Sequence, residues 1–233
     1  MGVKKTFGKI IEIVDLSKTA KEIKVKLEEP INFIAGSFIN IFLDIDGEKV
    51  RRAYSISSSD QEQNIISFSM RLIPKGRITS VFWNRNMLDE RIEIMGPLGL
   101  NTAEKMNNKK IYLFAFGIGA GVVKSLANHF YNKDKTEDLM IMTGSRFEDE
   151  IIHKKYFDNL ARTNKKVKVS HIVSRTQEGS LFKKGYVQDY VNDLSFDDSD
   201  VYVCGQKSAC NDLIQKIREK KPVNCNFFIE GFN

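Results

Sequence analysis

The sequence RRAYSISS, at residues 51–58, ends a strand-like run over residues 49–56 and guides the interpretation of the whole chain. Within it, Arg52 supplies a fixed cation, Tyr54 a flat aromatic ring and Ser55 a small hydroxyl. Side chains alternate along a strand, so Arg52 and Tyr54 are expected on one face and Ser55 on the other. A planar ligand that carries phosphate groups needs a cation, a ring to stack on and a hydroxyl donor at its edge. An Arg–Tyr pair on a strand also occurs as cross-strand packing, so the interpretation depends on the remaining motifs.

The first hundred residues are predicted to be all-β, because polar and apolar residues alternate there in the manner of strands. Six strands are predicted, at residues 7–14, 20–27, 38–45, 49–56, 64–72 and 91–95. Asp46-Gly47 is a hairpin signal before the fourth strand. Six short strands close comfortably into a small antiparallel barrel, and closure removes their exposed edges.

The segment at residues 75–83, KGRITSVFW, is predicted to be a loop that leads into a short helix. The free amides at the start of this helix, with the Thr79 and Ser80 hydroxyls, would form an anion site. The alternative is an ordinary capped helix whose side chains at residues 81–83 plug the barrel. The residues of this segment alone leave both interpretations open.

The pattern changes after the turn GPLG at residues 96–99 and a polar run at residues 101–110. Apolar strands then alternate with helices, which indicates a parallel, Rossmann-like sheet with helices on both faces. Strands are predicted at residues 111–116, 139–143, 167–173, 201–204 and 226–230. Helices are predicted from the glycine loop to residue 131, at 148–162 and at 207–219. We therefore predict a barrel domain at residues 1–102 and an α/β domain at residues 103–233.

The glycine loop after the first apolar strand, GIGAGVV at residues 117–123, is typical of a site for a diphosphate. Glycines let the backbone approach the phosphates, and the following helix directs its positive end toward them. The loop is not a complete dinucleotide fingerprint, because Val122 occupies the last glycine position. Arg146 follows the second strand where an acidic residue is usual, which favours a 2′-phosphate over a bare ribose. A surface arginine without a ligand remains the alternative.

Taken in order, these motifs resemble those of the ferredoxin-NADP reductase family over nearly the whole chain. The resemblance implies a flavin-binding barrel, with FAD held by Arg52, Ala53, Tyr54 and Ser55. A second motif would hold the FAD diphosphate, with residues Gly76, Thr79 and Ser80. By the same resemblance, Tyr54 would stack on the flavin, Ser55 would hydrogen-bond its edge and Arg52 would neutralise a phosphate.

The resemblance extends to a site for NADPH or NADH in the second half of the chain. It implies that the nicotinamide loop uses Gly117, Gly119 and Gly121. The adenosine end would contact Ser145, Arg146, Ser174 and Arg175, and the nicotinamide would lie beside Cys204 and Gly205. Val122 and Gln206 replace prolines that are common in the family, which bears on nucleotide affinity rather than on the fold.

The C-terminal sequence IEGFN, at residues 229–233, resembles the acidic and aromatic ending of plant-type members. It implies that Phe232 stacks on the flavin and that Ser55, Cys204 and Glu230 line the place where hydride passes. Considered singly, without the resemblance, these residues have other interpretations. Cys204 could be a buried apolar side chain, Glu230 a solvated charge and Phe232 a fraying terminal residue.

The implied function is electron transfer from NAD(P)H through FAD to a one-electron acceptor such as ferredoxin or flavodoxin. Alternatives are the reductase component of an oxygenase or cytochrome system, a free-flavin reductase, and a non-catalytic nucleotide-binding regulatory module. The electron-transfer subunit of a dihydroorotate dehydrogenase fits less well, because its cluster-binding cysteine motif is absent from this sequence.

Composition adds expectations about partners and location. The net charge of +6 suits either a lysine-rich solvated surface or the docking of an acidic carrier protein. Basic runs interleaved with aromatic residues are absent, so a nucleic-acid partner is not expected. Three cysteines are too few for an iron–sulfur cluster, and the three histidines are scattered, so neither a cluster nor a metal is expected. The sequence shows no signal core or membrane-spanning run, which predicts a cytoplasmic protein that does not bind a membrane.

Overall fold

The first six strands form one antiparallel sheet that curls into a barrel in the computed structural model, which describes residues 2–133 and 136–232. Their order in the sheet is β4-β3-β6-β1-β2-β5. The two ends of the sheet meet where Ile56, just beyond β4, forms a bridge with Phe68 of β5. The strands are β1 (Lys4–Ser17), β2 (Ala20–Leu27), β3 (Phe38–Ile45), β4 (Glu48–Ser55), β5 (Ile65–Arg71) and β6 (Arg91–Leu98).

The barrel is filled by the inward-facing apolar side chains of its strands, as the alternation predicts. Helix α1 (Arg77–Asn84) covers one opening and buries Ile78 and Phe82 in the same core. β1 is longer than predicted, because its first half pairs with β6 and its second half extends the pairing with β2.

The second half of the chain forms a six-stranded parallel sheet in the order β10-β9-β8-β7-β11-β12. This confirms the predicted combination of an antiparallel barrel and a parallel α/β sheet. The strands are β7 (Lys110–Phe116), β8 (Asp138–Ser145), β9 (Val167–Val173), β10 (Lys183–Lys184), β11 (Ser199–Gln206) and β12 (Cys225–Phe232). The helices are α2 (Ala120–Tyr131), α3 (Lys154–Thr163) and α4 (Lys207–Glu219). Within residues 2–133 and 136–232, no helix combines the length and the hydropathy that crossing a membrane requires.

The helix predicted over residues 148–162 is shorter in the structure. Glu148–Glu150 forms a separate 3-10 turn, and α3 begins only at Lys154. His153 has a left-handed φ of 57°, which breaks the helical path between the two elements. The break frees the side chain of Glu150 to reach the barrel.

The strand order places the centre of the parallel sheet at β7, with β8 on one side and β11 on the other. The strand order reverses between β7 and β11, and in sheets of this kind ligands bind beyond the carboxyl ends of the strands at such a point. Both the loop after β7 and the end of β11 face the barrel, since Gly117 and Gln206 line a cleft shared with β4 and β5.

Apolar and polar contacts both join the two halves of the chain. Ala20 and Ala35 of the barrel half pack in one core cluster with α2 and the parallel sheet. Beside them, the Glu22 carboxylate accepts hydrogen bonds from Ser57 and from Lys124 of α2, both at 2.7 Å. Burial lowers the pKa of neighbouring His153 to about 4, so this ring is neutral at physiological pH. These contacts fix the barrel against α2 and the parallel sheet.

Candidate active site

An open cleft of about 1090 Å³ lies between the barrel and the parallel sheet. This volume is slightly above the range for sites that hold a drug-sized ligand, about 300–1,000 Å³. One wall comes from β4, β5 and α1, and the other from the loops that follow β7, β8 and β9. The cleft can therefore accept a large ligand that contacts both halves of the chain.

The stretch Arg52–Ser55 at the end of β4 lines this cleft with all four of its residues. Neighbouring side chains on the strand have different partners: Tyr54 packs in the barrel, and the Ser55 hydroxyl points to Glu230 of the other half. Tyr54 packs against Phe68 with ring centroids 5.0 Å apart, and burial raises the pKa of its phenol to about 12. Arg52 is exposed, and its guanidinium donates to the Arg51 carbonyl at 2.7 Å.

The start of α1 forms the next part of this wall. Gly76, Arg77, Ile78 and Thr79 line the cleft, and Gly76 caps the helix without a side-chain hydrogen bond. The first amides of α1 are therefore available to an anion. The Thr79 hydroxyl closes the preceding loop instead, since it accepts from the Ile73 amide at 3.2 Å. Ser80 is half-buried and lies outside the cleft lining, while Phe82 packs in the barrel core, so α1 contributes to that core and leaves its first turn without a side-chain cap.

The glycine loop after β7 supplies the opposite wall. Gly117 has a left-handed φ of 54°, a conformation that glycine adopts without strain. Gly117 and Gly121 line the cleft. Gly119 does not; a Cβ there would stand 2.2 Å from the Cys204 carbonyl oxygen, so this glycine lets the loop pack against β11.

Two arginines stand together where β8 and β9 end. The Ser174 amide donates to the Ser145 carbonyl at 3.0 Å, and the Arg175 amide donates to the Arg146 carbonyl at 2.9 Å. All four residues line the cleft. The Arg175 guanidinium also lies 5.6 Å from the ring of Phe147, beside an adjoining cavity of about 540 Å³. This end of the cleft presents two cations and an aromatic surface to a ligand.

The C-terminal strand β12 brings the predicted hydride-side residues to the same region. β12 runs parallel to β11, with Glu230 opposite Cys204 and Phe232 opposite Gln206. Phe232 lines the cleft and is 37% exposed. Asn233, the last residue of the predicted C-terminal motif, lies outside the described residues.

Cys204 and Gly205 lie behind the cleft lining rather than in it. The Cys204 side chain is fully buried in the core between the two halves, and burial raises the pKa of its thiol well above the usual value. Gly205 packs on β7; a Cβ there would stand 2.5 Å from the carbonyl oxygen of Phe116. The structure thus brings Cys204 close to Glu230 but gives its thiol no access to the cleft.

Glu230 is a half-buried carboxylate at the junction of the two halves. The Ser55 hydroxyl donates to it at 3.5 Å, the outer limit of a hydrogen bond. Burial raises the pKa of Glu230 to about 7, against the smaller lowering effects of the Tyr202 and Ser55 hydroxyls. This group can therefore gain or lose a proton near neutral pH.

Sequence analysis did not identify a further cluster at one end of the cleft. Thr19, Arg71 and Glu150 all line it, and Glu150 accepts hydrogen bonds from Thr19 at 2.8 Å and from Arg71 at 3.0 Å. These residues are far apart in sequence and belong to no local motif. The only sequence signal is the position of Arg71 at the end of β5, just before the loop to α1. Among the described residues, no group of three or more His, Cys, Asp or Glu side chains could hold a metal ion.

The residues of the cleft fit a flavin and a nicotinamide dinucleotide on opposite walls. A phenol ring, a cation and an uncapped helix start on the barrel side suit a flavin with its diphosphate. A glycine turn at the start of α2 and two arginines at the ends of β8 and β9 suit a second dinucleotide.

Two protein-family models match the chain, one in each half. Residues 8–102 match the oxidoreductase FAD-binding domain, and residues 113–218 match the oxidoreductase NAD-binding domain. Together the two matches cover most of the chain. They confirm the predicted cofactor types, FAD and a nicotinamide dinucleotide.

Known relatives include reductases and electron-transfer components. The phenol hydroxylase P5 protein of Acinetobacter pittii is 29% identical over 66% of this chain and 43% of that protein. Ferredoxin–NADP reductase B of Sorangium cellulosum is 25% identical over 80% of this chain and 77% of that protein. The chain spans about half the length of several curated relatives that it matches.

The crystal structure of a ferredoxin NADP+ reductase from Neisseria gonorrhoeae, with bound FAD and NADP, has the same fold. It superposes with a TM-score of 0.83 at 15% identity over 98% of this chain and 99% of that one. The barrel is thus an FAD-binding domain, the parallel sheet is an NAD-binding domain, and the chain belongs to the ferredoxin-NADP reductase-like family of flavoprotein oxidoreductases.

Proposed function

We propose that this protein is an FAD-dependent reductase that takes electrons from NAD(P)H and passes them singly to an acceptor protein such as a ferredoxin or a flavodoxin. The observation that supports this most directly is one open cleft with a flavin-type wall and a nicotinamide-type wall. Bound FAD would supply the hydride and single-electron chemistry, for which amino-acid side chains are unsuited. The protein's own contribution is binding and orientation.

On the barrel wall, each residue has one task in the proposed function. Tyr54, fixed against Phe68, provides a rigid surface for the flavin ring. Arg52 and the open amides of α1 neutralise the FAD diphosphate. Rigid placement matters because holding two reactants in the correct geometry is worth several orders of magnitude in rate.

At the junction with β12, Ser55 and Glu230 lie where the two cofactors would meet. Their hydrogen bond and the pKa of about 7 equip Glu230 to hold or release a proton there. Phe232 lines the cleft and would stack on the flavin face that a nicotinamide ring has to reach. Cys204 is buried on the neighbouring strand β11, where it is paired with Glu230.

On the other wall, the turn at Gly117 and Gly121 would take the donor's diphosphate. Arg146 and Arg175 would take its adenosine end and, in NADPH, the 2′-phosphate. Gly119 and Gly205 act through packing, since each allows two backbone segments to approach closely.

The acceptor is proposed to be an acidic one-electron carrier, since the chain carries a net charge of +6 and Arg51 and Arg52 are exposed beside the cleft. The reductase component of an oxygenase is a second candidate. It is favoured by relatives named phenol hydroxylase P5 protein and glycine betaine monooxygenase reductase subunit. Both candidates share the same electron path up to the acceptor.

The first test is spectroscopic. The purified protein should be yellow and should bleach when NADPH or NADH is added without air. It should also reduce an artificial dye, which a non-catalytic regulatory module would not do.

A colourless protein that cannot be reconstituted with FAD contradicts the proposal. Flavin that dissociates during gel filtration and is reduced as a free substrate would support a free-flavin reductase instead.

The second test identifies the donor. Dye reduction is measured with NADPH and NADH for the wild type, Arg146→Ala and Arg175→Ala. If the arginines bind a 2′-phosphate, the KM for NADPH should rise about tenfold or more while that for NADH barely moves. Arg162→Ala, an exposed arginine near the end of α3, is the matched control. Equal increases in KM for NADPH and NADH would show that the two arginines do not bind the 2′-phosphate.

A further inference from the structure

One face of helix α2 contacts the barrel along most of its length. The residues on this face follow the spacing i, i+3, i+4, i+7 and i+8, which is that of a single stripe on a helix. They are Gly121, Lys124, Ser125, Asn128 and His129. Such a stripe is usually apolar, but four of these five residues have polar side chains. We call the stripe and its barrel partners the α2 seam; the partners are Glu22, Ser58, Ser59, Asp60 and Ser69.

The first half of α2 lies directly on strand β5. A Cβ at Gly121 would stand 2.9 Å from the Ser69 hydroxyl oxygen, so this glycine lets the start of the helix approach the barrel. One turn later, the buried Ser125 hydroxyl donates to the Ser58 carbonyl at 2.7 Å. The Ser58 hydroxyl accepts in turn from the Ser67 amide of β5 at 3.0 Å. Close packing and buried hydrogen bonds therefore fix this half of the helix.

The second half of α2 is anchored to the barrel as well. The Ser59 hydroxyl donates to the Asn128 side-chain oxygen at 2.7 Å. His129 donates from Nδ1 to the Asp60 carboxylate at 2.5 Å, and the two side chains are only 12% and 7% exposed. The Ala35 amide also donates to this carboxylate, at 3.2 Å, so Asp60 is fixed on the barrel side. The seam thus extends over three turns of the helix.

The seam connects the two walls of the cleft through short stretches of chain. Its barrel partners at residues 58–60 follow closely after the residues of the flavin wall at 52–55. At the other wall, the glycine turn Gly117–Gly119 leads directly into α2. Asn128 and His129 lie outside the cleft lining. They can therefore act on bound cofactors only through the position of one wall relative to the other.

Polar contacts fix a position that apolar contacts leave freer to slide. The donor–acceptor distance of a hydrogen bond varies over only about half an ångström, and a satisfied buried network specifies one arrangement. Helix α2 has 12 residues and is about 18 Å long. A tilt of about 3° over this length displaces one end by about 1 Å. A displacement of this size can cost about a hundredfold in rate when two reactants have to meet at about 3–3.5 Å.

From this geometry we propose that the α2 seam positions the donor's nicotinamide against the flavin, with Asp60 and His129 as positioning residues. The proposal rests on the proposed function, since it concerns the step in which a hydride leaves the nicotinamide and is taken up by the flavin. It separates rate from affinity. When the seam is weakened, each wall keeps its own contacts with its ligand, but the two walls no longer meet in one arrangement.

The first test separates the hydride step from binding. Stopped-flow absorbance follows flavin bleaching without air in the FAD-loaded wild type, Ser59→Ala, His129→Leu and the double variant, at increasing concentrations of the preferred donor. The limiting rate should fall about threefold, about tenfold and about thirtyfold, respectively. Flavin content and the affinity for ADP-ribose, measured by calorimetry, should stay within about twofold of wild type. The long-wavelength absorbance of the stacked nicotinamide and flavin should weaken in the same order.

A conservative variant and a stability control accompany these measurements. His129→Asn keeps an N–H donor for Asp60 and should restore the limiting rate to within about twofold of wild type. Asp200→Asn is the control for a general loss of stability. Asp200 is fully buried at the start of β11 and accepts hydrogen bonds from Asn108 and Asn226 within the α/β half. This substitution should lower the free energy of unfolding in urea and leave the limiting rate unchanged.

The second test measures the arrangement of the two halves without the donor and without turnover. Residual dipolar couplings of backbone amides report the relative orientation of two rigid parts of a protein. In the purified wild type, the couplings of the barrel and of the α/β half should fit one orientation, that of the structure. In the Ser59→Ala/His129→Leu variant, they should require a different orientation or an average over several.

The outcomes separate the two proposals. A limiting rate that stays at the wild-type value in the double variant overturns this inference, because the seam then only stabilises the fold. A rate that falls in step with ADP-ribose affinity or flavin content also overturns it, and so do couplings that fit the wild-type orientation. A wild type whose flavin neither donor bleaches contradicts the proposed function. Changed couplings in the double variant would in that case still support the seam as the contact that fixes the two halves.

Discussion

Two glutamates lie where the barrel meets the parallel sheet, and their surroundings differ sharply. Glu150 receives three donors from the barrel, one of them the Arg71 guanidinium at 3.0 Å. Glu230 forms one long hydrogen bond with Ser55 at 3.5 Å, and burial raises its pKa to about 7. The two carboxylates are similarly enclosed, so the difference comes from their partners and not from burial alone.

This comparison shows how one interface can serve stability and chemistry together. When a buried carboxylate is paired with a cation and fully hydrogen-bonded, these contacts offset much of its desolvation penalty. Removing its side chain leaves the partner charge buried without a counter-ion, which is destabilising. A buried carboxylate without a cation is costly when ionised, and this cost moves its titration to the pH at which an enzyme works. We therefore interpret Glu150 as a structural contact and Glu230 as a proton-exchanging group.

The largest expected effect is on stability at the cluster in which Ser17, Thr19 and Arg71 donate hydrogen bonds to Glu150. Glu150→Leu leaves Arg71 without its counter-ion and leaves two hydroxyls without an acceptor. We expect a loss of about 3 kcal/mol in the free energy of unfolding, the lower end of the cost of breaking a buried pair, since Arg71 is one-third exposed. Urea unfolding at pH 7 measures it. Glu28→Leu breaks the exposed pair with Arg91 and should cost much less stability. Equal losses in the two variants would show that the contacts of Glu150 stabilise the fold no more than a surface ion pair does.

A smaller effect of opposite sign is expected at Glu230. Its pKa is raised in the folded state, so the stability that the protonated form provides is fully present below about pH 4.5 and is lost as pH rises to about 7. Glu230→Gln removes this loss. Above pH 7 the variant should be more stable than wild type by about 2 kcal/mol, and the difference should vanish below about pH 4.5.

Unfolding curves between pH 4 and pH 9, with equal FAD content, test this prediction. Glu219→Gln removes an exposed carboxylate at the end of α4 and should follow the wild type throughout. In dye reduction, the wild type should show an inflection near pH 7 that Glu230→Gln lacks. A variant whose stability parallels that of the wild type at every pH would show that Glu230 titrates as an ordinary surface carboxylate.

The fold could be predicted from the sequence because its elements carry strong local patterns. The ranges predicted for β2, β3, β9 and α4 agree with the structure residue for residue. The start of α3 was wrong because a charged run, EDE at residues 148–150, has the composition of a helix start. What breaks the helix is the left-handed His153, which the sequence does not mark. β10 was not predicted, since two lysines carry no strand pattern.

The candidate site was predictable where it consists of contiguous motifs and not where it depends on contacts between the halves. The residues around Tyr54, at the start of α1 and at the Gly117 turn were identified because each ligand-facing group lies within a few positions of the next. Arg71 and Glu150 are separated by 79 positions, and neither has a neighbour that signals its role. Their association follows only from the docking of the barrel on the sheet.

The smallest expected effect is that of the Ser55 hydroxyl on the pKa of Glu230. The Ser55 hydroxyl lowers the pKa of Glu230, although less than burial raises it, so Ser55→Ala should move this pKa further upward. We expect the pH-dependent loss of stability to shift to higher pH by about half a unit, the effect of one weak hydrogen bond to the charged form. The measurement is the midpoint of the stability profile between pH 4 and pH 9. In the Glu230→Gln background the same substitution should leave the profile of that variant unchanged, because the group on which Ser55 acts is gone. A downward shift, or one that persists in that background, would mean that the 3.5 Å contact does not stabilise the carboxylate and that another group controls its titration.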